Sequence, residues 1–169
     1  FPLGTLQDEM TGVSLAGTQL RVNSYTTQDE QWNDIKVLTI NGAVVLPDKK
    51  DMVIPQGVAH AIDRVMFPLP VGDIVQTLQS DRENRFTHFL QLVQDSGLTS
   101  MLSGSKILTV FAPVDSAFTE ADVKRLDENR AQARSLVLRH ITTGTLYSAG
   151  LQYYQQRESL DKTRQLTIL

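Results

Sequence analysis

The 169-residue chain contains no cysteine. That excludes thiolate zinc sites, cysteine nucleophiles and a disulfide framework, and leaves core burial to hold the fold. No apolar run approaches the roughly 20 residues that span a bilayer. The first residues, Phe1-Pro2-Leu3-Gly4, carry neither a Met nor a signal-peptide pattern, so the chain reads as soluble and as a processed or excised piece. There is no basic excess: 16 Lys+Arg stand against 19 Asp+Glu, a net charge of −3, and no basic run exceeds Lys49-Lys50. Without a stripe of cations to neutralise phosphates, neither nucleic acid nor an anionic membrane surface is an expected partner. No Asn-X-Ser/Thr acceptor occurs either. What is present, 18.9 kDa with 41% hydrophobic and 21% charged residues, is the material of about one globular domain.

Residues 18–66 read mainly as strands. Thr18 to Tyr25 alternates, with Leu20 and Val22 on one face and Arg21 and Asn23 on the other. Two β-branched runs, Ile35–Ile40 and Ala43–Leu46, flank Asn41-Gly42, a pair that suits a type I′ hairpin turn. A last strand is expected from Val58 to Met66, and Phe67-Pro68-Leu69-Pro70 predicts a linker near residues 67–72.

Beyond it the period changes to helical. A helix is expected over Gly72 to Gln79. Phe86, Phe89, Leu90 and Val93 form an apolar stripe, and Gly97 stands where a left-handed C-terminal cap would fall. Ile107 to Phe111 predicts a short buried strand, Thr119 with Asp122 the cap of a short helix to Leu126, and Arg130 to His140 a further helix. Strands first and helices second define an α+β chain. Ser14-Leu15 and Leu20-Arg21-Val22 recur as Ser159-Leu160 and Leu166-Thr167-Ile168, at offsets of 145 and 146 residues. The echo suggests one repeat period plus a small overlap.

Chemistry is sparse. His60, placed in the Val58–Met66 strand, reads as a histidine satisfied by a backbone carbonyl. His140, at a helix C-terminus, reads as bonding an orphan carbonyl, and His88 as solvated. None has metal-ligand spacing, there is no phosphate-binding glycine loop, and Asp115-Ser116 lacks a nucleophile elbow and reads as a turn. The candidate acids Asp51, Asp63 and Asp115 are not brought together by any motif. Neither a metal nor a cofactor is expected, nor is an enzyme. Asp122, Asp127 and Glu128 interleave with Lys124, Arg125 and Arg130 as a solvated helix face. Lys49-Lys50-Asp51 is a charged turn abutting the apolar Met52, Val53 and Ile54. Trp32, Tyr153 and Tyr154 could line a stacking pocket for a polysaccharide or small ligand.

Three segments resemble the fasciclin-type (FAS1) adhesion domain. Thr109-Val110-Phe111-Ala112-Pro113 followed by Ala117-Phe118 resembles its first box. Leu136 to Ile141, followed by Gly144 and Tyr147-Ser148, resembles its second. Asn41-Gly42, Asp51-Met52 and Gly57 to Met66 with Pro68 resemble its closing segment, which here precedes the boxes. This order implies a strand-rich C-terminal half of one repeat at 1–69, a linker and first helix at 70–84, and a helix-rich N-terminal half of the next repeat at 85–169. The implied fold is a strand-rich wedge or sandwich packed with a helical layer. It could close on itself as a circularly permuted single domain, two chains could exchange halves, or other segments of the parent could complete each side; self-closure is the favoured expectation.

The resemblance implies an extracellular, cell-surface or matrix module that contacts integrin-like cell-surface receptors or itself, with matrix proteins or glycans as further candidate partners. Asp51 and Met52 match a receptor-contacting tract of the family. Leu138, His140 and Ile141 match a second one, with Arg139 where an aromatic is usual. A polysaccharide-binding domain and an inactive fragment are the alternatives.

Overall fold

A computed structural model describes residues 1–69 and 72–169, so part of the expected 67–72 linker lies outside the described residues. The chain divides into two compact units. One combines Phe1–Leu69 with Thr145–Tyr153 and Leu169; the other holds Pro70–Gly144 and Tyr154–Ile168.

In the first unit, strands β1 (Thr11–Val13), β2 (Gln19–Gln28), β3 (Asp34–Ile40) and β4 (Ala43–Val44) form an antiparallel sheet in sequential order. Its longest ladder runs from Val22 opposite Ile40 to Gln28 opposite Asp34. The β3–β4 turn is the expected one: Asn41 and Gly42 have φ of 48° and 81°, the two left-handed positions that a type I′ hairpin requires. Val22, Tyr25, Ala43 and Val45 are buried. The opposite face of β2 is not solvated as the alternation suggested. Asn23 is buried, because Asp8 folds over it and accepts from Asn23 Nδ2 at 3.3 Å and from the Ser24 N–H at 2.9 Å.

The expected Val58–Met66 strand is replaced by a hairpin of β5 (Met52–Ile54) and β6 (Gly57–Ala59). The reason lies in the next residues, which turn back along β4. Ala61 donates to Lys49 O, Asp63 to Val44 O, and Leu46 to Ala61 O, leaving only a bridge between Val45 and Ile62. The expected Ala43–Leu46 strand shortens to two residues for the same reason.

The second unit carries the helices α1 (Ile74–Gln79), α2 (Thr87–Asp95), α3 (Thr99–Leu102), α4 (Glu120–Glu128) and α5 (Arg130–Arg139). Its strands form two short antiparallel pairs, β7 (Leu108–Val110) with β8 (Ile141–Thr143), and β9 (Gln156–Glu158) with β10 (Gln165–Thr167). The helices begin where the caps allow. Asp73 and Gln76 make a capping box on α1, starting it two residues later than the sequence suggested, and Thr119 with Asp122 does the same on α4. Helix α2 ends in a Schellman motif: Gly97 (φ 67°) donates to Gln94 O and Leu98 to Val93 O. Phe89, Val93, Leu98, Leu102, Val137 and Ile141 form the heart of one apolar core. Helices and antiparallel strands together make the chain α+β.

The sequence echo is also a backbone echo. A 3-10 turn at Leu3–Thr5 recurs at Ser148–Gly150, and the hairpin β1–β2 recurs as β9–β10. Thr11 faces Arg21 as Gln156 faces Thr167, and Val22 donates to Met10 O as Ile168 does to Gln155 O. Left-handed residues fall in register too: Glu9 with Tyr154, and Gly17 with Lys162.

Candidate functional site

Asp51 and Met52 sit at the start of the β5–β6 hairpin, inside a fully exposed stretch, residues 47–57. Three consecutive apolar residues, Met52, Val53 and Ile54, are all exposed, Val53 at 87%. A strand alternates faces, so a free-standing two-stranded ribbon covers neither. The result is a short apolar edge beside the cations Lys49 and Lys50, able to pair main chain with another protein.

Local bonds fix the hairpin base. Asp51 adopts φ 51°, and its Oδ1 accepts from the Leu3 N–H at 2.8 Å. His60 lies just past β6 rather than within a strand. Its Nδ1 accepts from the Asp51 N–H at 3.1 Å, so the Nε2 facing the Phe1 carbonyl at 3.1 Å is the donor. The backbone-satisfied role expected for His60 is the one observed.

The second tract is placed differently. Leu138 and His140 are half-buried and Ile141 is fully buried at the start of β8. His140 caps α5 and donates from Nδ1 to Leu136 O at 2.8 Å, with its ring 6.1 Å from that of Phe89. Ile141 presents no surface and can influence a partner only by holding its neighbours in place. Beneath this tract, Asp161 accepts from Arg139 Nε at 2.7 Å and from Ser135 Oγ at 2.9 Å. The Arg139 bond, against a smaller opposing effect of burial and with help from Ser135 and Thr163, holds the Asp161 carboxyl below its usual range.

Asp115, read as a turn residue, caps α2, accepting from Thr87 Oγ1 at 2.5 Å and the His88 N–H at 2.8 Å. Burial pushes its carboxyl up, but these bonds together outweigh it and the net displacement is downward. His88 is exposed, its ring edge-on to Phe118 at 5.8 Å in a cleft of about 440 Å³. Asp63 accepts from the Val44 N–H and pairs with Arg64, which is the main reason its carboxyl lies below the usual range. Of the aromatics read as a possible stacking pocket, Trp32 is 79% exposed in a turn at φ 63°, and Tyr153 and Tyr154 are also exposed. Among the described residues, no group of three or more His, Asp or Glu side chains could hold a metal. Among them too, no helix is long and apolar enough to cross a membrane.

One constellation was not legible in the sequence. The arm Thr145–Tyr153 belongs to the first unit although it follows Gly144 of the second. Tyr25 Oη donates to Thr145 O at 2.7 Å and accepts from the Tyr147 N–H at 3.1 Å. Arg21 Nη1 bridges Glu9 Oε2 at 2.9 Å and Thr145 Oγ1 at 3.0 Å, while the Thr145 N–H donates to Glu9 Oε1. Glycines at two points permit the close approach. A Cβ on Gly42 would lie 2.6 Å from the Tyr147 ring, and one on Gly150 would overlap the ring of Tyr25. Burial pushes both tyrosine hydroxyls above their usual range, opposed at Tyr25 chiefly by the Tyr147 bond and at Tyr147 by the Arg21 charge.

The fasciclin-domain family profile matches residues 84–168, half of the chain, and the chain belongs to that family. Transforming growth factor-beta-induced protein ig-h3 of Sus scrofa is 33% identical over 125 residues, 73% of this chain and 17% of the relative. Periostin of Homo sapiens is 33% identical over 91 residues, 54% of this chain and 10% of the relative. A solved FAS1 domain pair from the insect cell adhesion molecule fasciclin I is 18% identical with a TM-score of 0.40, over 73% of this chain and 43% of that one. The chain spans less than a fifth of the length of the two sequence relatives.

Proposed function

We propose that the chain is an adhesive module of a cell-surface or matrix protein, working by protein–protein contact and not by turnover. Its contact site is the β5–β6 hairpin, with Asp51 and Met52 at its base and Val53 and Ile54 along its edge. The observation that carries this reading is the exposed apolar triplet on a ribbon whose outer edges pair with no strand among the described residues. Family membership supports it. Integrin-like receptors, matrix proteins or the chain itself are the partners proposed. Leu138 and His140 form a second, lesser surface whose geometry Ile141 holds. In domain terms, residues 1–69 supply the end of one repeat, 70–84 a linker and first helix, and 85–169 the start of the next; the backbone echo at 145–146 residues supports that period.

The test is clustering of beads coated with the chain, and attachment of receptor-bearing cells to them, with heat-denatured chain as control. Asp51→Asn keeps the acceptor for the Leu3 N–H and tolerates a left-handed backbone, so it removes charge alone. If Asp51 lies at a hot spot, adhesion falls by about 1–2 kcal/mol, roughly tenfold, with unchanged melting. Full adhesion by Asp51→Asn and by Val53→Asp chains would remove the hairpin as the site. The exposure of Trp32 favours glycan binding as a second reading, which a glycan-array signal lost on Trp32→Ala would support.

A further inference from the structure

The chain holds two copies of one local element, residues 2–8 and residues 147–153, and they are docked differently on the same unit. Each is a 3-10 turn that follows an extended residue, Pro2 or Tyr147, and leaves through an extended leucine, Leu6 or Leu151. The upstream copy is tied to the β5–β6 hairpin through the Leu3–Asp51 and Phe1–His60 bonds. The downstream copy occupies the sheet face formed by Tyr25 and Gly42. Two positions select which copy fits there. Gly150 lies so close to the Tyr25 ring that a Cβ would overlap it, and its counterpart upstream is Thr5, which is β-branched. Tyr147 covers Gly42, and its counterpart is Pro2, which has no N–H to give to Tyr25 Oη. The site therefore refuses the copy that precedes it and accepts the one that follows.

The accepted arm is not contiguous with the sheet it completes. Residues 1–69 reach Thr145–Tyr153 only through the second unit, and Gly72 (φ 132°) and Gly144 (φ 89°) lie near two of the four points where the chain passes between units. The bonds that seat the arm on the sheet join residues 120 or more positions apart, as with Tyr25 to Thr145 and Glu9 to Thr145. Such an interface forms identically whether the arm belongs to the same chain or to another, so the balance is set by connection strain and concentration. We propose that the Tyr25–Gly42 face is a docking site for the Thr145–Tyr153 arm of a second copy of this chain, so that copies associate by reciprocal exchange of arms. The proposal deepens the adhesive reading by naming the partner and a route to self-association, and its test needs no adhesion assay, so the two can fail separately.

The experiment uses the full chain. Two differently labelled samples are unfolded, mixed and refolded together at increasing concentration, and their masses are read by size exclusion with light scattering. A labelled heterodimer of twice 18.9 kDa whose fraction rises with concentration is expected. Gly150→Thr, which writes the upstream residue into the downstream arm, abolishes it when every chain carries the change. Mixing Gly150→Thr chains, which keep the site, with Tyr25→Ala chains, which keep the arm, restores a 1:1 heterodimer that neither forms alone. Native chains that refold only as monomers at every concentration would overturn the proposal. So would dimers that persist in Gly150→Thr, or variants that fail to complement each other.

Discussion

Gly42→Ala probes the arm from the sheet side, and its cost divides into two parts of different origin. The first is local: an alanine held at φ 81° in a type I′ turn costs about 1 kcal/mol relative to glycine. The second is tertiary. The new methyl group falls 2.6, 3.0 and 3.1 Å from three atoms of the Tyr147 ring, so the ring must leave its seat. A fully buried aromatic contributes about 1.5–3 kcal/mol, and Tyr147 is half-buried, so displacement loses about 1 kcal/mol more. Gly42→Ala is therefore expected to destabilise the first unit by about 2 kcal/mol. Tyr147→Ala removes the ring, and in the double variant only the backbone part of the Gly42 change should remain. The cycle should show a coupling of about 1 kcal/mol, measured by denaturant unfolding, together with faster hydrogen exchange at the Tyr147 N–H in Gly42→Ala. Two costs that add within about 0.3 kcal/mol, with the Tyr147 amide as protected as in the native chain, would refute the account of how the arm is seated.

Thr39 is fully buried in β3 and its hydroxyl has no hydrogen-bond partner among the described residues, so Thr39→Val should be neutral or stabilising by up to about 1 kcal/mol; a lower melting temperature would count against it. Thr119→Ala removes the capping box of α4 and should cost about 1 kcal/mol, recovered largely by Thr119→Ser, with circular dichroism reading the loss. Asp161 has its carboxyl depressed in the folded state, so its stabilising effect is present above the unfolded value near 3.8 and disappears as pH falls through the lower folded value. The acid limb of the melting temperature against pH should therefore be shallower in Asp161→Asn than in the native chain; identical slopes below about pH 4 would sink that assignment.

What sequence reading recovered is mostly what is local. Asn41-Gly42, the Thr119–Asp122 cap and Gly97 each fix backbone geometry within a few residues, and each appears as expected. The β5–β6 hairpin was missed because Val58 to Met66 also alternates acceptably as a strand, and the choice is made by residues 61–63 bonding back to residues 44–49. The exposure of Asp51 was legible from the lysines before it. The burial of Ile141 was not, since an apolar run at a helix end serves a core and a contact face equally well until β8 pairs with β7. Nothing near Gly150 in the chain announces the Tyr25 ring that requires it, because the two are 125 residues apart.

The two copies of the hairpin differ in length by one residue, and the difference falls in one place. Thr18 corresponds to Thr163, yet Gln19 corresponds to Gln165, so Arg164 is extra. Ser159 Oγ accommodates it by donating to the Arg164 carbonyl at 2.7 Å, and the strands on either side keep the pairing seen in the shorter copy. The fold has thus already run an insertion experiment on itself. A fluorophore or short peptide tag placed after Lys162 follows the same route, and offers a handle for anchoring the chain to a bead or a surface through a turn that already tolerates an extra residue.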